Sequence, residues 1–129
     1  MNEIILDTDI TSFIFNGHTL AQRYESLIGG RERFICFATL GEIHEGLYRS
    51  NWSRAKIDLC LKSAKLYPVV YPDALICETW GWVRSIRKNR QIALNDAWIA
   101  ASAISYSVPL ATHNASDFAD IPGLQLLTI

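Results

Sequence analysis

An α/β fold with a mainly parallel sheet is predicted by three features of this chain. Short apolar runs of strand length alternate with segments of helical periodicity along the sequence. The first run, "EIILD" (3–7), carries three consecutive apolar residues, as expected of a buried parallel strand. A third segment, "LNDAWIAASAI" (94–104), is uncharged after Asp96, with Ser102 as its one polar side chain. Small and apolar residues surround it on every side, so it reads as a buried helix.

The remaining elements follow in order. "TDITSFIF" turns from the first strand into a short helix. "HTLAQRYESLIG" (18–29) is a helix closed by Gly29-Gly30. "RFICFA" (33–38) is the second strand, and "TLGEIHEGLYRS" (39–50) sets Leu40, Ile43 and Leu47 at helical spacing. Residues 53–65 place Ile57, Cys60, Leu61 and Ala64 on one side of a further helix. "LYPVVY" (66–71) reads as a strand that Pro68 confines to an edge or to a strand start. Pro72 and Asp73 open a helix through about Lys88. The helix from Asn95 ends before Pro109. "PLAT" (109–112) and "LQLLTI" (124–129) are the last two strands.

The 129 residues are expected to form one domain, 1–129, and half of them are hydrophobic, enough for a core without covalent staples. Three widely spaced cysteines, Cys36, Cys60 and Cys77, form no CxxC pair and suggest neither a zinc site nor a disulfide framework. The start lacks a basic, apolar leader pattern, and no apolar run approaches the roughly 20 residues of a spanning helix. A cytoplasmic protein without membrane contact is therefore expected. The net charge of −1 does not by itself mark a nucleic-acid binder.

In parallel sheets ligands bind beyond the carboxyl ends of the strands. Asp7 and Asp9 end the first strand, and Asp117 follows "PLAT". Asp96 opens the buried helix, and Glu42 lies in the first turn after the second strand. Four acids from distant segments, Asp7, Glu42, Asp96 and Asp117, are thus expected to meet. Two unit charges ~4 Å apart repel by about 4 kcal/mol at an effective dielectric near 20. A hard divalent cation such as Mg²⁺ or Mn²⁺ removes that cost. Each acid alone also has a structural reading. Thr39-x-x-Glu42 fits a capping box, Asn95 or Asp96 fits an N-cap, and Asp117 and Asp120 fit turn positions. The combination carries the functional reading.

The blocks "ILDTDITSF", "TLGEIHEGL", "NDAWIAASAI" and "ATHNASDFADIPGL", in that order, resemble the PIN domain. More closely, they are similar to the VapC-type toxins of toxin–antitoxin pairs. The resemblance spans nearly the whole chain. It implies a three-layer α/β/α fold, metal-dependent endoribonuclease activity, a small VapB-like antitoxin partner and a homodimer. By position it implies Asp7, Glu42, Asp96 and Asp117 as the four acids that hold metal and act in catalysis. Thr112 and Asn114 match polar residues that support the site. The chain departs from the pattern at Asp9, where the family more often has Asn, and in its modest overall charge.

Metal-assisted phosphodiester hydrolysis is the chemistry implied, with Asp7 and Asp96 the leading direct ligands. Setting the four acids aside leaves 12 basic side chains against 9 acidic, a formal +3 that attracts phosphate. The densest basic cluster, Arg84, Arg87, Lys88 and Arg90, is a candidate RNA-backbone grip, with a solvated helix end as the alternative. Trp80 and Trp82 are candidates for base stacking, although two positions so spaced face different sides of a helix. His113 lies near the site, where a loop role is expected. Two competing readings remain. "IILDTDIT" also fits the DxDxT start of haloacid-dehalogenase-like phosphatases, with Asp7 as nucleophile. A catalytically inactive PIN-like binding module is the other.

Overall fold

The computed structural model of the chain describes residues 2–129. Five strands, β1 (Glu3–Leu6), β2 (Glu32–Cys36), β3 (Val69–Val70), β4 (Leu110–Ala111) and β5 (Leu126–Leu127), form one sheet in the order β3-β2-β1-β4-β5. Every pairing is parallel. The connecting helices are α1 (Thr8–Phe15), α2 (Thr19–Ile28), α3 (Phe37–Arg49), α4 (Arg54–Ala64), α5 (Ala74–Ile86) and α6 (Leu94–Tyr106).

Alternation along the central strand builds the layers. Ile4 and Leu6 of β1 join Ile10 of α1 and Tyr24 and Ile28 of α2 in one cluster. Ile5 belongs to the other, with Ile76 and Val83 of α5 and Ile99 and Ala100 of α6. Two-sided covering explains why Ile4, Ile5 and Leu6 of β1 are all apolar, and each such side chain contributes about 2 kcal/mol relative to leaving it exposed. A smaller cluster, Ile43, Leu47 and Cys60, joins α3 to α4 beside Phe15 and Trp52.

Helix α6 is the buried helix expected from its composition. Ala97, Ile99, Ala100, Ala101 and Ala103 are all buried, and the small side chains let α5 and β1 approach closely. Its one polar residue in that run, Ser102, donates to the Trp98 carbonyl over 2.8 Å, so no buried hydroxyl is left unpaired. Ser107 ends the helix in the left-handed region at φ 55°, and Pro109 follows.

The strand order reverses beside β1, where the chain returns to add β4 and β5 on its far side. A crevice opens at the carboxyl ends of β1 and β4, the usual place for a ligand in such sheets. Pro68 precedes β3, which is an edge strand as its proline required. Two helix starts differ from expectation. Strand β2 stops at Cys36, so α3 begins at Phe37 and Thr39 lies inside it rather than at its cap. The N-cap of α6 is Ala93, which places Asp96 in the third helical position. Edge strands β3 and β5 are shorter than the apolar runs that contain them.

Candidate active site

Asp7 leaves β1 and becomes the N-cap of α1 in one step. Its Oδ1 accepts from the Ile10 backbone N–H at 2.9 Å. Its Oδ2 accepts from the Thr112 hydroxyl at 2.6 Å, across the crevice from β4. The carboxylate is 4% exposed. Burial pushes its pKa up from 3.8 to about 6, against the two hydrogen bonds and with added repulsion from Asp9 and Asp96.

The other acids reach the same crevice from separate elements. Asp7, Asp9, Glu42, Asp96 and Asp117 all line a cleft of about 220 Å³. Thr8, Asn114 and Phe118 complete its wall. Asp96 projects from the first turn of α6, where the helix dipole favours negative charge. Its pKa is also raised to about 6, first by burial, then by Asp117, Glu42 and Asp9, with Arg87 opposing. Asp117 sits on a 3-10 turn, Ala115–Phe118, anchored by the buried Phe118 ring.

Each remaining acid has a specific holder. Thr8 donates to Glu42 Oε1 over 2.7 Å, with its hydroxyl 3.0 Å from that of Thr39. Glu42 is therefore tied across the cleft to the α1 start, not folded back to its own helix start as a capping box requires. Asn114 donates to Asp9 through Nδ2, and its backbone N–H donates to the Thr112 hydroxyl at 3.0 Å. Arg90 pairs with Asp117 Oδ1 at 3.2 Å. For Asp96 neither helix-capping reading holds, since α6 starts two residues before it.

Among the expected basic residues, the roles divide. Arg84 turns to its own loop, donating to the Ile92 carbonyl and to Gln91 Oε1. Arg87 donates to the carbonyls of Asp117 and Ala119 at 2.9 and 2.6 Å, fixing the turn that carries Asp117. Lys88 and Arg90 stay exposed and line a neighbouring cleft. Trp80 stacks on Trp98 at 4.8 Å and 22°, which makes it part of the wall behind α6. Trp82 is exposed.

Four holders were not found in the sequence: Thr8, Thr39, Tyr24 and the Arg87 tether. Tyr24, fully buried, has its hydroxyl 3.2 Å from the Thr112 carbonyl and 2.7 Å from His113 Nδ1. It thereby fixes the backbone that aims Thr112 at Asp7. Tyr24 looks like an ordinary core aromatic in the sequence, and its partners lie 88 and 89 residues away.

The donor set is all oxygen, and five carboxyl groups share one small cleft, opposed by Arg87 acting on Asp96 and by Arg90 paired with Asp117. That chemistry fits a hard divalent cation. Among the described residues no three His, Cys, Asp or Glu side chains converge tightly enough to chelate an ion by themselves. Such spacing is compatible with a cation that completes its coordination with water.

Acids from separate elements gather where the order of a parallel sheet reverses, and the chain belongs to the PIN domain family, whose model matches residues 4–124. It is 30% identical over 125 residues to the ribonuclease VapC1 of Haemophilus influenzae (strain R2866), covering 94% of this chain and 93% of that protein. The VapBC-1 structure from nontypeable Haemophilus influenzae superposes with a TM-score of 0.79 at 29% identity, over 97% of this chain and 96% of that one. DNA-bound VapBC from Salmonella typhimurium shares the fold at a TM-score of 0.83 and 24% identity, over 99% and 98% of the two chains. Membership in this family replaces the haloacid-dehalogenase-like reading. Among the described residues no helix is long and apolar enough to cross a membrane.

Proposed function

We propose that this chain is a metal-dependent endoribonuclease, the toxin of a VapBC-type toxin–antitoxin module, acting in the cytoplasm as a homodimer. The observation that carries the reading is the convergence of Asp7, Glu42, Asp96 and Asp117 on one cleft from four separate elements. Similarity to ribonuclease VapC1 along 94% of the chain supports the substrate class. Toxin–antitoxin complexes among its structural relatives support a small VapB-like partner.

Asp7 and Asp96 would hold the ion, with Glu42 and Asp117 beside it. Bound Mg²⁺ or Mn²⁺ supplies Lewis acidity toward the phosphoryl oxygen and eases the ionisation of water. The chain's own residues do the rest. Asp7 is fixed by Ile10 and Thr112, and Asp96 by the buried helix behind it. Rigid support of this kind keeps ligands in productive geometry. Glu42, held by Thr8 at the cleft wall, would accept the proton of an attacking water.

Purified protein should cleave single-stranded RNA with Mg²⁺ or Mn²⁺, lose activity in EDTA, and lose about 100-fold or more on Asp7→Asn, since the charge is removed from the site centre. Cleavage untouched by Asp7→Asn would overturn the assignment. Absence of cleavage with either ion would favour the inactive binding module. Co-expression with a candidate small VapB-like protein, followed by pull-down, tests the antitoxin.

A further inference from the structure

We infer that Arg90 exchanges partners during RNA binding, leaving Asp117 for a phosphate of the RNA backbone one step outside the acidic cleft. The inference rests on the ribonuclease reading and adds to it a second subsite with a defined ligand chemistry.

The loop joining α5 to α6 is tied down at both ends. Arg84 holds its carboxyl side through Gln91 and the Ile92 carbonyl, and Ile92 itself is buried. Arg87 holds its amino side to the carbonyls of Asp117 and Ala119. Both guanidiniums are occupied by neutral acceptors, so their positive charge stays available to the surrounding field. Between the anchors, Lys88 and Arg90 project over a cleft of about 310 Å³. That cleft and the acidic one meet at the 3-10 turn, since Ser116 and Ala119 line the first and Asp117 lines the second. Asp120 also lines that cleft, but Arg87, Lys88 and Arg90 outnumber it, so a chain of phosphates crossing the acids would run next onto a net positive shelf.

Arg90 stands at the border. Its side chain is 78% exposed and its pair with Asp117, itself 37% exposed, is a single 3.2 Å contact. Exposed pairs of that kind contribute little and break easily. A phosphate offers the guanidinium two parallel, charge-assisted bonds in their place. The exchange costs little on the protein side and releases one of the four acids at the moment substrate arrives. Lys88, without a carboxylate partner among the described residues, adds a second contact to the same strand.

The test measures binding without cleavage. Fluorescence anisotropy of a labelled single-stranded oligoribonucleotide is followed in EDTA at several salt concentrations, with Asp7→Asn as the parent so that the RNA stays intact. Arg90→Gln should weaken binding about three- to tenfold at moderate salt and lower the salt slope by about 0.7, the value of one single-strand phosphate contact. The loss should persist in an Asp117→Asn background, where no pair exists to be masked. RNA binding unchanged within about twofold by Arg90→Gln would overturn the subsite and leave the ribonuclease reading intact. A loss that vanishes in the Asp117→Asn background would also overturn it, because Arg90 would then only be masking Asp117. No RNA binding by the parent, with no cleavage by the unaltered protein, would bring down both readings together.

Discussion

The Thr112 hydroxyl donates to Asp7 Oδ2 over 2.6 Å and joins residues 105 positions apart across the point where strand order reverses. The same hydroxyl accepts from the Asn114 backbone N–H. One side chain thus orients the most buried acid of the cleft and the start of the turn that carries Asp117.

Thr112→Val should therefore cost more than an ordinary conservative change in a core. It strips Asp7 of one of two donors and leaves the Asn114 N–H without its acceptor. A stability loss of about 2 kcal/mol is expected near pH 8, where Asp7 is ionised, with Thr112→Ser close to the unaltered protein. Thermal melts of the three proteins check this. Equal melting points for the Val and Ser variants would deny the bond any role.

Asp96→Asn and Glu42→Gln separate site acids from structural ones. Neither residue caps its helix, so neither substitution removes a cap. Gln at position 42 can still accept from Thr8. Activity should fall by two or more orders of magnitude in each, while the metal-free Asp96→Asn protein folds and gains stability near neutral pH through lost repulsion. Ribonuclease assays paired with melts in EDTA decide it, and full activity in both variants would end the four-acid reading.

The metal-free protein should become less stable as pH rises from about 4 to about 7. Asp7 and Asp96 have folded pKa values near 6, above the ordinary 3.8, so the folded state binds more protons than the unfolded one in that window. Stability then falls with rising pH and levels off above about 7. For Asp7 the span is on the order of 2–3 kcal/mol, and the more exposed Asp96 adds less. Urea melts in EDTA at pH 4.5, 6 and 7.5 measure the slope. Asp7→Asn should flatten most of it.

Mg²⁺ or Mn²⁺ should reverse that trend. At a concentration near 100 times Kd, either ion should add about 2.7 kcal/mol of stability, because the folded chain alone gathers the acids. The gain should shrink below pH 6 as protons compete for Asp7 and Asp96. Differential scanning calorimetry with and without EDTA provides the readout. A melting point indifferent to both ions at pH 7.5, together with no heat of binding, counts against a metal site.

Strand β1 and helix α6 were legible because burial on all sides leaves a continuous apolar record. The edge strands were not. Ile35 pairs with Val69 and Cys36 with Val70, and no further pairs form, because the reach of β3 depends on its neighbour and not on its own apolar run. The four acids could be placed near one sheet edge because Asp7, Asp96 and Asp117 lie at or within a turn of an element's start, while Glu42 lies in the second turn of α3, one turn deeper than its capping motif suggested. Their holders could not. Arg87 meets Asp117 and Ala119 from 30 and 32 residues away. Tyr24 meets Thr112 from 88. Such partners depend on how loops close after the layers have formed, and no local pattern marks them. The misplaced starts of α3 and α6 have the same origin: capping motifs were present, but strand length and the packing of α6 decided where each helix began.

The placement of β1 in the middle of the sheet carries a consequence for how the protein is made. Synthesis runs from the amino end, so Asp7 emerges 105 residues before Thr112 and the β4 strand beside it. Until they arrive, β1 has an open flank and Asp7 has no hydroxyl from Thr112. Contacts of such long sequence separation also form slowly. The acidic cleft therefore cannot be assembled before the segment that carries β4 and the 3-10 turn has been translated, because Asn114 and Asp117 line it beside Asp7.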